Sequence, residues 1–424
     1  MMRLFLAWMA LALTASAQVL PWNEFLAMAL DRSGEVRIAE AKVREAQAKR
    51  MAAFAAFEPR LDLASEGKDY GNDLQYRLDR AEARVGLPGG IDLVGGAAQA
   101  TGAFINPERK TPVEGLVNLG ISAPLGGALI YSDRQYAWNA ASRDLEVEQA
   151  KRDRVERKLR LEAVKVYTFW QAQVEVQSAV DEAVAVLSWV DRRTDASKQQ
   201  SFSAVARANV ERMLRGADDV EADLSGVQPD SRPVLLGNSP FASAEPQSLN
   251  GVPELAMVSS LLRRERLAVT TAWAQWLPAP YVDYRMLQWG GSTWNPEAVQ
   301  WKVGLALPLF NQKARADLAG AQARLRAAEA NAASVQNEVE VLQRQLAQQV
   351  AALDSELKAL LGAEAASYAL LQQERRRFTL GESTMFILAS RETKYLEAVQ
   401  KRTMASAKLQ SLEAERRLLT RPSL

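Results

Sequence analysis

The sequence contains neither cysteine nor histidine. The absence of cysteine excludes disulfide bonds, thiolate metal sites and cysteine nucleophiles. The absence of histidine removes the most common general base and the most common transition-metal ligand. Asp, Glu, Lys and Ser remain as possible catalytic groups, but no phosphate-binding loop, metal-ligand spacing or nucleophile constellation is present. We therefore predict no enzymatic activity, no cofactor and no metal site.

The sequence also lacks a charge imbalance and a long apolar run. The net charge is +1, from 52 basic and 51 acidic residues, which gives no argument for a nucleic-acid partner. Beyond the N-terminus no segment has the roughly 18 apolar residues of a membrane-spanning helix. An inner-membrane helix bundle is therefore not expected.

The N-terminus has the order of regions found in a secretory signal. Arg3 supplies a positive start, residues 4–13 form a short apolar run, and residues 15–17 (Ala-Ser-Ala) are small residues before a cleavage point. We predict a signal peptide over residues 1–17 and export of the mature chain. A buried N-terminal helix is the alternative.

Two pairs of matching segments indicate a tandem duplication. Residues 117–125 (VNLGISAPL) align with 301–309 (WKVGLALPL) at an offset of 184, and residues 53–59 (AFAAFEP) align with 272–278 (AWAQWLP) at an offset of 219. The first copy therefore carries 35 additional residues (219 − 184) between Pro59 and Pro124. We predict a first repeat over 18–224 with a β segment at 58–124, a linker over 225–252, and a second repeat over 253–420 with a β segment at 278–308.

Apolar and polar residues alternate with period two in the β segments, as in strands with two different faces. In the second repeat Val299, Trp301, Val303, Leu305 and Leu307 share one face, and Gln300, Lys302, Gly304 and Ala306 share the other. We expect the first face to contact lipid and the second to line a lumen. In the first repeat two alternating stretches, 74–87 and 91–104, meet at Gly89-Gly90, which predicts an additional β-hairpin in that copy alone.

Long helices without proline form the other part of each repeat. Residues 311–378 have apolar positions at steps of three and four, a heptad pattern with one stutter, and a helix of that length rises about 100 Å. The apolar positions are Leu325, Ala328, Ala332, Val335, Val339, Leu342, Leu346, Val350, Leu353, Leu357 and Leu360. A matching helix is predicted over 132–199. Both helices then reverse, the first near residue 201 and the second near Gly381, with a returning helix over 384–419.

These elements together point to a shared barrel. Four strands in one chain cannot close a barrel, which needs about eight. An exported chain that spans the outer membrane must nevertheless form a closed barrel, since unpaired strand edges cannot face lipid. Several copies that each contribute strands to one barrel resolve this conflict.

The duplicated order of helix, Pro, strands, Pro-Leu, long helix, turn and returning helix resembles the outer-membrane efflux (TolC) family. Residues 59–63 (PRLDL) and Pro278 open strands, residues 307–310 (LPLF) close one, and Gly381 precedes the segment 388–395 in the way that this family shows. The resemblance covers essentially the whole mature chain. It implies a mainly α fold with a β-barrel part: long antiparallel coiled-coil helices forming a periplasmic α-barrel, and strands contributed to a twelve-stranded β-barrel in a homotrimer.

The same resemblance implies a function and a location. The protein would be the outer-membrane channel of a tripartite efflux or type I export system, a passive exit duct in outer-membrane lipid with most of the chain in the periplasm. Its partners would be a periplasmic adaptor (membrane fusion protein) and an inner-membrane pump. Two alternatives remain open: a periplasmic coiled-coil adaptor, which would need only one hairpin, and a structural coiled-coil protein of the cell envelope.

Three sets of residues are candidate sites. The adaptor-docking tip would consist of the turn residues, in which Gly381 adopts the left-handed conformation and residues 382–384 cap the returning helix. The tunnel mouth would carry an arginine cluster, and an aromatic girdle would lie at the membrane interface. Ordinary turn residues, a solvated helix face and core aromatics are the respective alternatives. The tip set is Ser201, Ser203, Gly381, Glu382, Ser383 and Thr384; the mouth set is Arg375, Arg376 and Arg377; the girdle set is Tyr281, Tyr284, Trp289, Trp294 and Trp301.

Overall fold

The computed structural model describes residues 19–71, 73–186, 232–233, 252–289, 298–306 and 310–420. The predicted signal peptide, the first helical turn near residue 201 and almost all of the predicted linker lie outside these residues. The proposed repeat boundaries therefore stay predictions. The described chain is mainly helical with one six-stranded antiparallel sheet, and a short parallel pair joins β1 (Val19–Leu20) to β6 (Arg232–Pro233).

The helices fall close to their predicted positions. They are α1 (Trp22–Arg32), α2 (Gly34–Phe54), α3 (Gly127–Ile130), α4 (Asp133–Val186), α5 (Pro253–Trp276), α6 (Gln312–Thr379) and α7 (Met385–Thr420). Ser33 separates α1 from α2: its backbone leaves the helical region, and its hydroxyl accepts a hydrogen bond from the amide of Val36. Helix α2 passes into a 3-10 turn over Ala55–Phe57 and ends before Pro59, because the residue that precedes a proline disfavours the helical conformation.

Helix α6 has 68 residues, which corresponds to about 100 Å of helix rise. Its predicted apolar stripe is largely confirmed. Val339, Leu346 and Leu353 are buried and most other positions are half-buried, whereas Leu342 is exposed. No helix in the described ranges is long and apolar enough to cross a membrane.

The sheet contains six strands in the order β2-β3-β4-β5-β7-β8, and every neighbouring pair is antiparallel. The additional hairpin predicted for the first repeat is confirmed as β3 and β4, and both strands lie inside the sheet. Four strands come from the first repeat and two from the second. The twelve-stranded trimeric barrel implied by the resemblance needs only four strands per chain, so the strand count differs from that expectation. The strands are β2 (Arg60–Tyr70), β3 (Asp73–Gly86), β4 (Asp92–Thr101), β5 (Leu116–Pro124), β7 (Ala279–Trp289) and β8 (Val299–Ala306).

The turn between β3 and β4 is fixed against the helical end of the sheet. Pro88–Gly90 form a 3-10 turn in which Gly89 and Gly90 have φ of 75° and 71°, values that glycine adopts without steric cost. The Arg134 guanidinium, at the start of α4, lies 2.6 Å from the Asp92 carboxylate at the start of β4. A Cβ on Gly86 would collide with the carbonyl oxygen of Ala56. The inserted hairpin is therefore anchored by packing and by an ion pair.

The chain forms two compact units, each of which takes segments from both predicted repeats. One unit comprises residues 1–41, 150–255 and 335–424. Its largest core surrounds Tyr167, whose ring packs at 5.4 Å from those of Trp22 and Phe25 and whose hydroxyl donates to the carbonyl of Leu20 at 2.9 Å. A second core in this unit joins Val252, Val339, Leu346 and Leu419.

The other unit comprises residues 42–149 and 256–334, and it contains the sheet. Its helical cores are built from small side chains. Ala268 and Ala272 of α5 pack against Ala321 of α6, and Val43 and Ala46 of α2 pack against Leu145 of α4. Aromatic side chains flank both clusters: Tyr136 packs against the alanine cluster, and the ring of Phe54 in α2 lies 6.2 Å from that of Trp138 in α4.

Gly120 tests the close packing between β5 and β7. A Cβ at this position would collide with the carbonyl oxygen of Tyr284 and with the Arg285 side chain. We expect Gly120→Val to destabilise the protein by about 1–3 kcal/mol, as overpacking typically does, measured by thermal unfolding. Gly362→Ala in α6 is the matched control, because a Cβ there has no atom within 4 Å and alanine favours helix. Equal melting temperatures for the two variants would contradict the observed strand packing.

Candidate functional site

One face of the sheet is apolar across all six strands in the rows nearest the helical end. Strand register places the apolar residues Leu63, Ala81, Ala97 and Val117 in one row across β2 to β5, and Ile121, Tyr284 and Trp301 in another across β5 to β8. Many of these apolar side chains are exposed: Leu63 by 73%, Trp301 by 69% and Val303 by 62%. A contiguous exposed apolar surface of this kind marks contact with a partner or with a membrane.

The opposite face of the sheet is polar and charged. Arg285 of β7 donates to Asp283 on its own strand at 2.8 Å and to Glu82 of β3 at 2.9 Å. The Arg285 side chain reaches across β5 and β4 to do so, and glycines occupy the intervening rows: Gly120 lies opposite Arg285, and Gly96 lies opposite Glu82. Gly120 leaves room for the Arg285 side chain, whose Cγ would lie 2.7 Å from a Cβ at this position. This cluster was not predicted, because its signal is a pairing of charged and glycine positions that depends on which strands become neighbours.

The predicted aromatic girdle is divided between the two faces. Tyr284 and Trp301 are cross-strand neighbours on the apolar face. Tyr281 lies on the polar face, where its ring covers Gly304 and the Lys302 ammonium group is 5.6 Å from the ring centroid. Trp289 ends β7, but its side chain and the whole of Trp294 lie outside the described residues. A girdle that involves Tyr284 and Trp301 remains a prediction, and Tyr281 is not on the surface that a girdle would need.

Helix α6 ends in a turn built around Gly381. The Gly381 amide donates to the carbonyl of Phe378 at 3.0 Å, and the Glu382 amide donates to the carbonyl of Arg377 at 2.9 Å. Together with the φ of 77° at Gly381, these two bonds define a Schellman motif, which satisfies the last carbonyls of a helix. The left-handed conformation predicted for Gly381 is confirmed.

The residues after Gly381 begin the returning helix α7. The carbonyl of Thr384 accepts the first helical hydrogen bond, from Leu388 at 3.1 Å. The Ser383 hydroxyl does not cap α7 but donates to the carboxylate of Glu374 on α6, so it ties the two helices together. The corresponding first turn, with Ser201 and Ser203, lies outside the described residues.

The three arginines before the turn have different surroundings. Arg375 points between the helices and lies 2.7 Å from Glu392 of α7, whose side chain is only 2% exposed. Arg376 and Arg377 are exposed. Two of the three predicted mouth residues are therefore available to a partner or a solute, and Arg375 instead joins α6 to α7. Phe386 and Leu380 are also exposed beside them, and Phe386 is 83% exposed.

Arg402 of α7 connects three helices below the turn. Its guanidinium lies 2.7 Å from Glu364 of α6 and 2.7 Å from Glu175 of α4. Burial alone would lower the pKa of Arg402, but the hydrogen bonds that its guanidinium donates to these carboxylates outweigh burial and raise the pKa above its usual value. The site was missed because its three members are 38 and 227 residues apart in sequence.

Comparison with known proteins identifies structures with the same fold. No protein-family model matches the chain, and no curated protein sequence matches it. The structure of the outer-membrane channel OprN superimposes with a TM-score of 0.61 and 17% identity, over 94% of this chain and 90% of that one. The open state of the MtrE outer membrane channel of Neisseria gonorrhoeae superimposes with a TM-score of 0.58 and 17% identity, over 95% of this chain and 89% of that one. The CmeC outer membrane channel of Campylobacter jejuni superimposes with a TM-score of 0.57 and 12% identity, over 93% of this chain and 84% of that one. The fold class predicted from the sequence is therefore confirmed.

Gly381→Ala tests the backbone conformation of the turn. A left-handed residue other than glycine costs about 1–2 kcal/mol, and a Cβ at Gly381 would meet no atom within 4 Å, so the whole effect is one of backbone conformation. We expect faster amide hydrogen exchange in residues 378–388 of this variant than in the parent. Gly381→Asn is the control and should exchange at an intermediate rate, because asparagine tolerates this conformation better. Equal exchange in all three proteins would contradict the assigned turn.

Proposed function

Since this chain has the fold of outer-membrane efflux channels, we propose that it is itself an outer-membrane channel, the passive exit duct of a tripartite efflux or type I export system. In this proposal the protein is a homotrimer in the outer membrane with most of each chain in the periplasm. Its partners are a periplasmic adaptor and an inner-membrane pump. The exported substrate stays open.

The apolar face of the sheet is the observation that carries this proposal. Leu63, Trp301 and Val303 expose most of their surface to solvent in the single chain. Burial of such side chains in hydrocarbon removes apolar area from water, worth about 25 cal/mol per Å². The opposite face carries Arg285, Asp283 and Glu82, which suit a water-filled lumen. An apolar outer face and a polar inner face are the pattern of a membrane β-barrel.

The helical part argues against the two alternatives. A periplasmic adaptor with a single coiled-coil hairpin would have no use for an extended apolar sheet. A purely structural coiled coil would need no strands at all. Here α6 begins six residues after β8 ends, so the same chain segment supplies the sheet and a long solvated helix. That continuity suits a duct whose wall passes from membrane to periplasm.

The turn at Gly381 is the proposed docking site for the adaptor. Its exposed surface combines apolar side chains, Leu380 and Phe386, with the cations Arg376 and Arg377 and the anion Glu382. Apolar anchors surrounded by charged residues are typical of protein interfaces. The ion pair between Arg375 and the buried Glu392, and the Ser383–Glu374 hydrogen bond, hold together the two helices on either side of this surface.

Variants of β8 test the membrane assignment. An arginine on the lipid face of a barrel costs about 2–4 kcal/mol near the bilayer midplane. We expect Val303→Arg to reduce the amount of trimer extracted from outer-membrane fractions with detergent, and Gln300→Arg, on the polar face of the same strand, to leave it near the parental amount. Equal loss or equal tolerance would count against the proposed faces. Recovery of the parent protein in the soluble periplasmic fraction would refute the function.

Variants of the turn test adaptor docking separately. Phe386→Glu and Glu382→Lys change exposed side chains that hold no helix together, so the trimer should form at normal abundance. We expect export by these trimers to fall at least tenfold and cross-linking to the adaptor to be lost. Val341→Glu is the control, since Val341 is also exposed but lies in the middle of α6. Full export and unchanged cross-linking in the turn variants would exclude the docking role.

A further inference from the structure

The two outer strands of the sheet, β2 and β8, each have one free edge. Within the described residues no strand pairs with the outer edge of either. Backbone N–H and C=O groups on such an edge cannot face hydrocarbon without a partner. If the sheet lies in a membrane, as the proposed function requires, both edges must be paired by another chain.

A second copy of this chain can pair with both edges. Every neighbour in the six-stranded sheet is antiparallel, so β2 and β8, five steps apart, also run antiparallel to each other. When β8 of one copy lies beside β2 of the next, the pairing is therefore antiparallel, and the direction alternates without interruption around the ring. Head-to-tail contacts of this kind close into a ring when the rotation between copies permits it.

The register of the sheet agrees with closure. A line of residues that lie opposite one another on neighbouring strands runs from Arg60 through Arg84, Val94, Gly120 and Arg285 to Gln300. Arg60 starts β2 and Ala306 ends β8, and both strand ends adjoin the helical part of the chain. If these two ends are level in neighbouring copies, Gln300 lies opposite Glu66 of the next copy, a shift of six residues over six strands.

A shift of this size gives a strand tilt in the range that closed barrels have. Six residues of about 3.3 Å along the strand and six strands of about 4.8 Å across it give a strand tilt of about 35°. Closed barrels have tilts of roughly 35–45°. The same register places Glu66 and Gln300 on the polar face, so both faces of the sheet continue across the junction.

The inserted strands β3 and β4 belong to the wall of this barrel. Their turn is fixed by the Arg134–Asp92 ion pair, and Glu82 of β3 is bound by Arg285 of β7 across the two strands between them. The apolar face also continues through them at Ala81, Ala83, Leu93 and Ala97. A hairpin that lay outside the wall would have neither the charged contacts to the polar face nor this apolar row.

We propose that the trimer forms an eighteen-stranded barrel, six strands from each of three copies, through pairing of β8 with β2 of the next copy. Barrel diameter grows roughly linearly with strand number, so the opening is about half as wide again as that of twelve strands. The exit duct is accordingly suited to bulkier solutes than a twelve-stranded one. This inference rests on the proposed function, since it needs a trimer in the outer membrane.

Cysteine pairs test the junction directly, because the parent sequence has no cysteine. The first pair is Gln300→Cys with Glu66→Cys, which become neighbours if β8 pairs with β2 of the next copy. The rival pair is Gln300→Cys with Ala98→Cys. These two would be neighbours in a twelve-stranded barrel from which β2 and β3 are absent. In that barrel β8 pairs with β4 of the next copy, and Ala306 at the end of β8 is level with Asp92 at the start of β4. Each single-cysteine variant serves as a control. Two further pairs, Gln300→Cys with Ala64→Cys and Gln300→Cys with Lys68→Cys, test a register that differs by two residues in either direction.

Cross-linking by mild oxidation is measured on outer-membrane fractions as covalent dimers and trimers on a non-reducing gel. We expect them from the pairs that join β8 to β2, at least tenfold above the rival pair. Cross-links from the rival pair alone, or from neither in a protein that is still trimeric in the outer membrane, would overturn the eighteen-stranded barrel and leave the channel function standing. A protein that is neither trimeric nor in the outer membrane would overturn both.

Discussion

The backbone N–H and C=O groups at the two open edges of the sheet need hydrogen-bond partners, and the rest of the structure depends on how they find them. In water an open edge is tolerable, because solvent satisfies its N–H and C=O groups, but in hydrocarbon each unsatisfied group costs several kcal/mol. The six strands of a single chain do not close into a barrel by themselves, since small barrels need about eight strands. In the proposed outer-membrane trimer both features are satisfied together, because neighbouring copies pair the open edges and lipid covers the apolar face.

The polar face shows how charged side chains are accommodated on one face of a single β-sheet. Arg285 binds two carboxylates, Asp283 and Glu82, and Glu82 also binds Arg84. Such a network keeps charged side chains flat along the strands, because each cation is drawn towards acids on its own or a nearby strand. Glycine at position 120 leaves the space that the Arg285 side chain occupies. The charge pattern and the glycine pattern of these strands thus have one cause.

Much of the fold follows from sequence periodicity, and the chemical detail of the site does not. The period-two alternation in residues 299–306 and the heptads of α6 are repeated signals, so element type and position could be predicted to within a few residues. Gly381 could also be predicted, because a helix reversal favours glycine at that point. The contacts of Arg402 and Arg285 could not, since they depend on which strands and helices become neighbours, and pairing over 227 or 203 residues leaves no local trace. The division of Tyr281 from Tyr284 follows from parity along one strand and was available from the sequence.

The asymmetry between the two repeats has a topological reason. A strand segment that connects two helical parts must leave the helical end of the sheet and return to it, so it must contain an even number of strands. The second repeat uses two, β7 and β8, and the first uses four, β2 to β5. A single additional strand would deliver Pro124 to the wrong end of the sheet, away from α4, whereas a complete hairpin returns the chain to the same end. The insertion of 35 residues supplies one hairpin of two strands with its turn and a loop. A wall built from hairpins can therefore widen by whole hairpins without any change in the helices that it joins, and strand number is free to differ between channels that share one helical architecture.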